Sequence, residues 1–267
     1  MIVKRPNRRA RLFDIEFDQI DSTEVVTFLI NACSLPSFTY VVTPNVDHLV
    51  RLHSRDPDPV LWQAYRTASL CLCDSRILQM LARSLGISLC LVPGSDLTLE
   101  YLDDDRSKPI SLAVIGGDLD LIKKLNARYP THHWHHHLPP MGVRWNRRAQ
   151  KAIIRFVEER AAEVYFFAIG SPQSELLCAE IFRRGKASGV AICVGASLEF
   201  LVGAKKRAPR WVQKMAFEWL YRLLSEPTRL WRRYLIEGPS ILRIWWQYRT
   251  NTSRAPVEFD SNSPGTG

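Results

Sequence analysis

The sequence is short of several things, and each absence excludes a class. Across 267 residues no apolar run approaches the ~18–20 residues of a membrane-spanning helix. The basic start, MIVKRPNRRARLF, is followed by no apolar stretch and does not read as a secretory signal. No GxGxxG occurs, which argues against a standard dinucleotide site, and no GxxxxGK followed by Ser or Thr, which excludes a P-loop. No GxSxG elbow is present. The six cysteines (Cys33, Cys71, Cys73, Cys90, Cys178, Cys193) form no CxxC pair and no Cys–His set at zinc spacing; four lie in apolar runs and read as buried reduced thiols of a cytosolic protein. There is no internal repeat.

What is present is an ordinary globular mix, 46% apolar and 24% charged, long enough to bury a core without staples. The net charge of +9 is unevenly spread. Residues 205–249 hold eleven Lys/Arg against three acids (Glu218, Glu226, Glu237), and five of the eight Trp. The chain thus reads as a nearly neutral body over 1–204, a basic, Trp-rich helical appendage over 205–250 and a disordered polar tail over 251–267. Such an appendage suits an anionic membrane surface; on charge alone, nucleic acid competes for it.

Six apolar runs read as strands: Phe38–Thr43, Ala68–Asp74, Ile87–Val92, Ile110–Gly116, Val164–Gly170 and Gly189–Val194. Most are apolar at successive positions, the mark of strands covered on both faces. Helical segments alternate with them: Pro59–Thr67, Arg76–Leu85, Leu119–Tyr129, Arg147–Arg160 and Gln173–Arg184. That alternation predicts a Rossmann-like α/β fold, an open, mostly parallel sheet with helices on both faces. From Ala208 onward only helices are expected: Trp211–Leu224, Thr228–Ile236 and Ser240–Tyr248, broken at Pro227 and at Gly238-Pro239.

In open α/β sheets ligands sit beyond the carboxyl ends of the strands. Those ends carry Thr43-Pro44-Asn45-Val46-Asp47-His48, Asp74-Ser75-Arg76, Gly94-Ser95-Asp96, Gly116-Gly117-Asp118, Gly170-Ser171-Pro172-Gln173-Ser174-Glu175 and Gly195-Ala196-Ser197. Any one of these is explained by turn and cap chemistry; six together point to one polar cleft. Three of them are strand-to-helix turns, whose free N–H groups suit phosphate. Two louder features carry less. His132-His133-Trp134-His135-His136-His137 holds five of the seven histidines, but in a Pro-flanked connection without nearby acids, so no metal is assigned to it. The acidic pairs Asp56/Asp58, Asp103/Asp105 and Asp118/Asp120 read as solvated loops or helix caps rather than as ion ligands.

Taken in order, the six loops and the later blocks Lys206-Arg207-Ala208-Pro209-Arg210-Trp211, Glu218-Trp219-Leu220-Tyr221-Arg222-Leu223, Glu226-Pro227 and Arg229-Leu230-Trp231-Arg232-Arg233-Tyr234 resemble the WecG/TagA/CpsF family of bacterial glycosyltransferases over roughly residues 12–235. The resemblance implies an inverting hexosyltransferase that moves a sugar from a UDP-sugar, of the UDP-N-acetylmannosamine kind, to a polyprenyl-diphosphate-linked sugar in cell-surface polysaccharide or exopolysaccharide assembly. It implies no metal and no cofactor, no nucleic-acid partner, peripheral attachment to the inner face of the cell membrane, and room for self-association. It makes Asp74 the catalytic base, with Thr43 and Gln173 beside it. Asn45, Gly94, Ser95, Asp96, Gly116, Gly117, Ser171, Glu175 and Gly195 are implied to line the substrate pocket. Arg222, Arg229 and Arg232 are implied to reach in from the appendage and neutralise the leaving diphosphate.

Two departures stand out. The family's Asp-Gly-x-Gly is Asp74-Ser75-Arg76-Ile77 here, placing side chains where a tight turn has glycines. Its Phe-Asp-Phe is Leu198-Glu199-Phe200. Both bear on donor choice, and the first motivates an alternative: a catalytically degenerate member that binds a sugar nucleotide or an assembly partner.

Overall fold

The structure is a computed structural model and describes residues 8–107, 110–159, 162–205, 208–209, 212, 215 and 217–252. It opens on a hairpin, β1 (Arg9–Leu12) and β2 (Ile15–Asp18), followed by α1 (Ser22–Cys33). The main sheet is then built from β3 (Phe38–Val42), β4 (Leu70–Cys71), β5 (Ser111–Gly116), β6 (His133–His137), β7 (Val164–Ala168) and β8 (Gly189–Cys193). Its order is β4-β3-β8-β7-β5-β6, and every pairing is parallel.

The expected parallel sheet follows from the unbroken apolar runs. Along β7, Val164 and Phe166 face one core layer while Tyr165 and Phe167 face the other, and none of the four is exposed. One layer holds the hairpin, α2 (Val46–Leu52), α3 (Pro59–Thr67), α4 (Arg76–Arg83), α7 (Arg147–Glu159) and α8 (Gln173–Arg184). The other holds α1, α5 (Gly94–Asp103), α6 (Leu119–Arg128) and α9 (Ser197–Leu201). Helix starts obey local chemistry. Asp58 caps α3 with Pro59 at its first position, Asp118 caps α6, and Asp21 with Glu24 forms a capping box on α1.

The strand set needs two corrections. Ile87–Val92 is not a strand: only Leu91 bridges to Cys73, and the Cys90 amide is taken by the Gln19 side chain. The sixth strand is instead His133–His137, which pairs with β5 at the sheet edge. Its histidines are occupied locally. His135 Nε2 lies 3.0 Å from Ser111 Oγ, His136 Nε2 lies 2.9 Å from the Gly116 carbonyl, and the His137 ring packs on Phe156. Among the described residues no group of three or more His, Cys, Asp or Glu is placed to hold a metal ion.

At the C-terminal end the described helices are Glu218–Ser225, Pro227–Trp231 and Ser240–Thr252, the last two joined by a π-helical stretch, Arg232–Glu237. The expected break at Gly238-Pro239 does not occur. Pro239 has no N–H and would crowd a regular turn. The wide turn absorbs this: the Gly238 amide bonds back to the Arg233 carbonyl at 2.8 Å, and Gly238 itself keeps a helical backbone. A Cβ on Gly238 would meet the Arg233 and Tyr234 carbonyls at 3.1 and 3.0 Å, so the wide turn has little room for a side chain there. Ile241 and Ile244 enter the body's core, Trp245 Nε1 donates to Ser84 Oγ at 2.9 Å, and the Tyr248 ring meets Phe13 edge-on. Residues 253–267, most of the expected tail, lie outside the described residues. So do Lys206, Arg207, Arg210 and Trp211 of the block that begins the appendage.

Candidate active site

Chain direction sets where a ligand can sit. The helix after β3 (α2) and the helix after β8 (α9) pack on opposite faces of the sheet, although β3 and β8 are neighbours. A crevice therefore opens between their carboxyl ends.

Four side chains or backbone groups converge there. Thr43, nearly fully buried just past β3, donates from Oγ1 to the Cys193 carbonyl at the end of β8, 3.2 Å away. The Asp74 amide donates to the Pro44 carbonyl at 3.1 Å, tying the β4 end to the same loop. Asp74 Oδ1 in turn accepts from the Gly94 amide at 3.0 Å. Gly94 opens α5, and a Cβ on it would lie 3.3 Å from Thr43 Oγ1 and 3.5 Å from Ser197 Oγ. Gly94 is thus a contact surface where Thr43, Asp74 and Ser197 meet. Ser197 was legible only as part of a strand-end loop; its role at this junction carried no separate signal.

The remaining expected residues are distributed as follows. Asn45 caps α2, its Oδ1 accepting from the Asp47 amide at 3.1 Å. Ser95 and Asp96 lie in the first turn of α5. Gly195 follows β8 with φ +53 and open space beside it. Gly116 and Gly117 end β5, two strands away from β8. Gly116 has φ +100, and a Cβ there would fall 2.9 Å from the Ala168 backbone, so this turn tolerates glycine alone. Ser171, Gln173 and Glu175 stand at the start of α8, after β7; Ser171 is a hydrogen-bonding neighbour of Glu175 and of Tyr65.

Glu175 is also the most unusual acid of the site. It is buried, and burial pushes its carboxyl up to about 7. Its Oε1 lies 4.0 Å from His48 Nδ1 on α2. Burial acts on His48 in the opposite direction, lowering its imidazole to about 4. Desolvation dominates both shifts, because each disfavours the charged form of its own group.

The three appendage arginines do not gather. The Arg222 guanidinium lies over the Phe200 ring, 5.3 Å from its centroid, beside the helix that begins at Ser197. Arg229 pairs with Glu226 at 2.6 Å and Arg232 with Glu237 at 3.6 Å, both on the surface. Among the described residues, the appendage guanidinium that pairs with an acid of the body is Arg233, whose Nη2 lies 3.2 Å from Asp47 Oδ2. The sequence pointed to its neighbour instead.

The altered loop after Asp74 is accommodated without strain. Ser75 has φ −148 and caps α4, its Oγ accepting from the Leu78 amide, while Arg76 is exposed at the first helical position. Glu199, in place of the family's aspartate, pairs with Lys205 at 2.6 Å.

Comparison with protein families returns one that fits this arrangement: the model of the glycosyl transferase WecG/TagA/CpsF family matches residues 10–255. That span runs from the first hairpin through the last described helix, and the chain therefore belongs to the WecG/TagA/CpsF family of glycosyltransferases.

Proposed function

We propose that this glycosyltransferase moves a sugar, with inversion, from a UDP-sugar of the N-acetylmannosamine type to a polyprenyl-diphosphate-linked sugar. The product feeds cell-surface polysaccharide assembly. The observation that carries the reading is the position of Asp74, a carboxylate fixed by the Gly94 amide at the mouth of the β3/β8 crevice. In the transfer, the acceptor hydroxyl attacks the anomeric carbon, its proton passes to Asp74, and the bond to the diphosphate breaks as UDP leaves. Thr43 and Ser197 border the same crevice. Among the described residues, Arg222, beside α9, is the appendage guanidinium best placed to meet charge building on the leaving group.

The division of labour we infer is a catalytic body over residues 1–204 and a docking appendage over 205–250. Leu224, Trp231, Leu235, Leu242 and Trp246 are all exposed and are spread along the C-terminal helices. Arg229, Arg232 and Arg243 flank them. A surface of Trp and Leu edged with Arg suits the inner face of the cell membrane, where the lipid acceptor resides. No helix among the described residues is long and apolar enough to cross a membrane. A second copy of the chain is the other occupant this surface would fit.

The loop at Ser75-Arg76 favours an active enzyme over a non-catalytic binder, since the backbone there needs no left-handed residue. The test is nucleoside diphosphate release from a panel of UDP-sugars, with a short-chain polyprenyl-diphosphate-linked sugar as acceptor, alongside Asp74→Asn. Release with one donor, abolished in the variant, is expected. Silence with every donor in folded protein would pass the reading to the non-catalytic binder.

A further inference from the structure

The body is nearly neutral in sum but not in distribution. Between Asp120 and Glu158 the sequence has eight Lys or Arg and no acid. Lys124 and Arg155, toward the two ends of this stretch, pair with Asp120 and Glu159. Among the described residues Arg144, Arg147 and Arg148 are exposed and meet no carboxylate. Arg147 and Arg148 open α7, whose first turn has no acid. Cations there oppose the helix dipole, so their placement does not serve the helix.

The loop that joins β6 to α7 presents apolar groups beside those charges. Met141 is 98% exposed and Trp145 81%, the two highest values of any large apolar side chain among the described residues, and Leu138 is exposed as well. The loop is nonetheless firmly built. Gly142 takes φ +78, Val143–Trp145 form a single 3-10 turn, and the Trp145 amide donates to the Gly142 carbonyl at 2.9 Å. Val143 is buried in the core, and Gln150 Nε2 donates to the Val143 and Arg144 carbonyls at 2.9 Å each. Asn146 Oδ1 caps the start of α7 by accepting the Ala149 amide at 3.0 Å. The Arg144 guanidinium lies over the Trp145 ring, 4.8 Å from its centroid. A fixed turn thus holds an apolar tip out in water, where it contributes nothing to the core; exposure of that kind marks a contact surface.

Position decides which contact. Every pairing in the sheet is parallel, so the loop after β6 leaves from the same rim as the crevice, three strand spacings or roughly 14 Å from β8. The appendage meets that rim too, through Arg222 over Phe200 after β8 and Arg233 at Asp47 after β3. We propose that residues 138–148 form a second membrane contact, in which Leu138, Met141 and Trp145 enter the headgroup region of an anionic bilayer while Arg144, Arg147 and Arg148 meet its phosphates. Trp suits that depth because its ring is apolar and its N–H polar, and Arg reaches phosphate while its stem stays in the apolar layer. The acid-free stretch around the loop supplies the complementary charge. One contact leaves a docked protein free to tilt; two at separate points of the rim hold the crevice mouth toward the lipid. The inference rests on the reading that the acceptor is a membrane lipid, and on none of the appendage side chains.

The experiment is sedimentation of the full chain with phosphatidylcholine vesicles that contain phosphatidylglycerol or lack it. Met141→Ser with Trp145→Ser removes the apolar tip, and Arg147→Gln with Arg148→Gln removes two charges. Trp231→Ala with Trp246→Ala serves as the appendage reference. Both loop variants should keep the melting temperature and bind the phosphatidylglycerol vesicles roughly tenfold more weakly. Trp145→Phe gives a second reading that does not need weakened binding. Lipids brominated along the acyl chain quench the emission of inserted tryptophan, so at equal binding the quenched fraction should be smaller in this variant. Loop variants that sediment like the unmodified chain, or equal quenching in Trp145→Phe, overturn the proposal; if the appendage pair alone then loses binding, the appendage reading survives it. Self-association lost in the tip variant with vesicle binding intact assigns the loop to a second copy of the chain and overturns the proposal too. Failure of the unmodified chain to bind either vesicle overturns both membrane contacts. None of these measurements reads turnover, so the nucleoside diphosphate assay judges the transferase reading separately.

Discussion

Asp74 and Gly94 are twenty residues apart, yet the Asp74 carboxylate accepts the Gly94 amide hydrogen at 3.0 Å and so faces the crevice in a fixed orientation. Asp74→Asn keeps an acceptor oxygen for that amide but cannot take a proton. Its melting temperature should stay within a few degrees of the unmodified chain. Its turnover should fall by roughly 100-fold or more, the usual contribution of a positioned base. Nucleoside diphosphate release and a thermal melt, run together, check both halves.

Two glycines at strand ends separate backbone strain from crowding. Gly116→Ala combines φ +100 with a Cβ 2.9 Å from the Ala168 backbone and should cost roughly 3 kcal/mol or more. Gly195→Ala meets no atom within 4 Å at φ +53 and should cost only about 1 kcal/mol. Denaturant midpoints at constant slope measure the two; equal losses would show that the space beside Gly116 is not what restricts it.

The buried pair on α2 and α8 should leave a mark on stability against pH. Glu175 holds its proton in the folded chain up to about 7, while the unfolded chain loses it near the ordinary value of 4.5. Its contribution is therefore fully present below 4.5 and is lost as pH rises toward 7. His48 is neutral when folded down to about 4 but gains a proton below 6.5 when unfolded. Its contribution runs the other way, growing as pH rises from 4 to 6.5. Each is of the order of 3 kcal/mol, so they offset one another between pH 4.5 and 6.5. Glu175→Gln should expose the rising His48 limb, and His48→Asn the falling Glu175 limb. Urea titrations at half-unit pH steps would detect them; parallel curves for all three proteins would refute the assignment.

Trp231→Ala and Trp246→Ala together remove two exposed tryptophans of the appendage. Neither side chain belongs to the buried core. The melting temperature should be unchanged. Sedimentation with vesicles containing anionic lipid should fall several-fold, more steeply at raised salt because the flanking arginines are then screened. A loss of self-association without a change in vesicle binding would assign this surface to a second copy of the chain.

Much of this architecture was legible because it rests on local rules. Runs apolar on successive positions announce a sheet covered on both faces, and Asp58-Pro59 marks the start of α3 to the residue. Strand-end logic located Thr43 and Asp74, whereas Gly94 follows a run that forms only an isolated bridge. What escaped depended on partners distant in sequence. His133–His137 has no apolar run and is a strand only because β5 offers it an edge. Ile87–Val92 has the apolar run but only a single bridge to pair with. The hairpin turns on Phe13-Asp14, both at positive φ, where Asn-Gly would be the readable signal. Phe13 is held there by full burial and its contact with Tyr248, 235 residues further along the chain. The shift from Arg232 to Arg233 has a similar origin. The family resemblance implies Arg232, but Arg232 pairs with Glu237 and it is Arg233 that meets Asp47 on α2, a partner 186 residues earlier in the chain.

That wide turn also settles what kind of mechanical object the C-terminal segment is. A proline normally inserts a joint, and two helices on either side of a joint can be moved one at a time. Here hydrogen bonding continues past Pro239, from the Gly238 amide to Arg233 and from the Ile241 and Leu242 amides to Gly238 and Pro239. The segment from Pro227 to Thr252 is in effect one spar. Trp231 and Trp246 lie along its outer side, and Arg233 is seated on its inner side. A force that settles the outer side on a surface is borne, through the same spar, at Asp47.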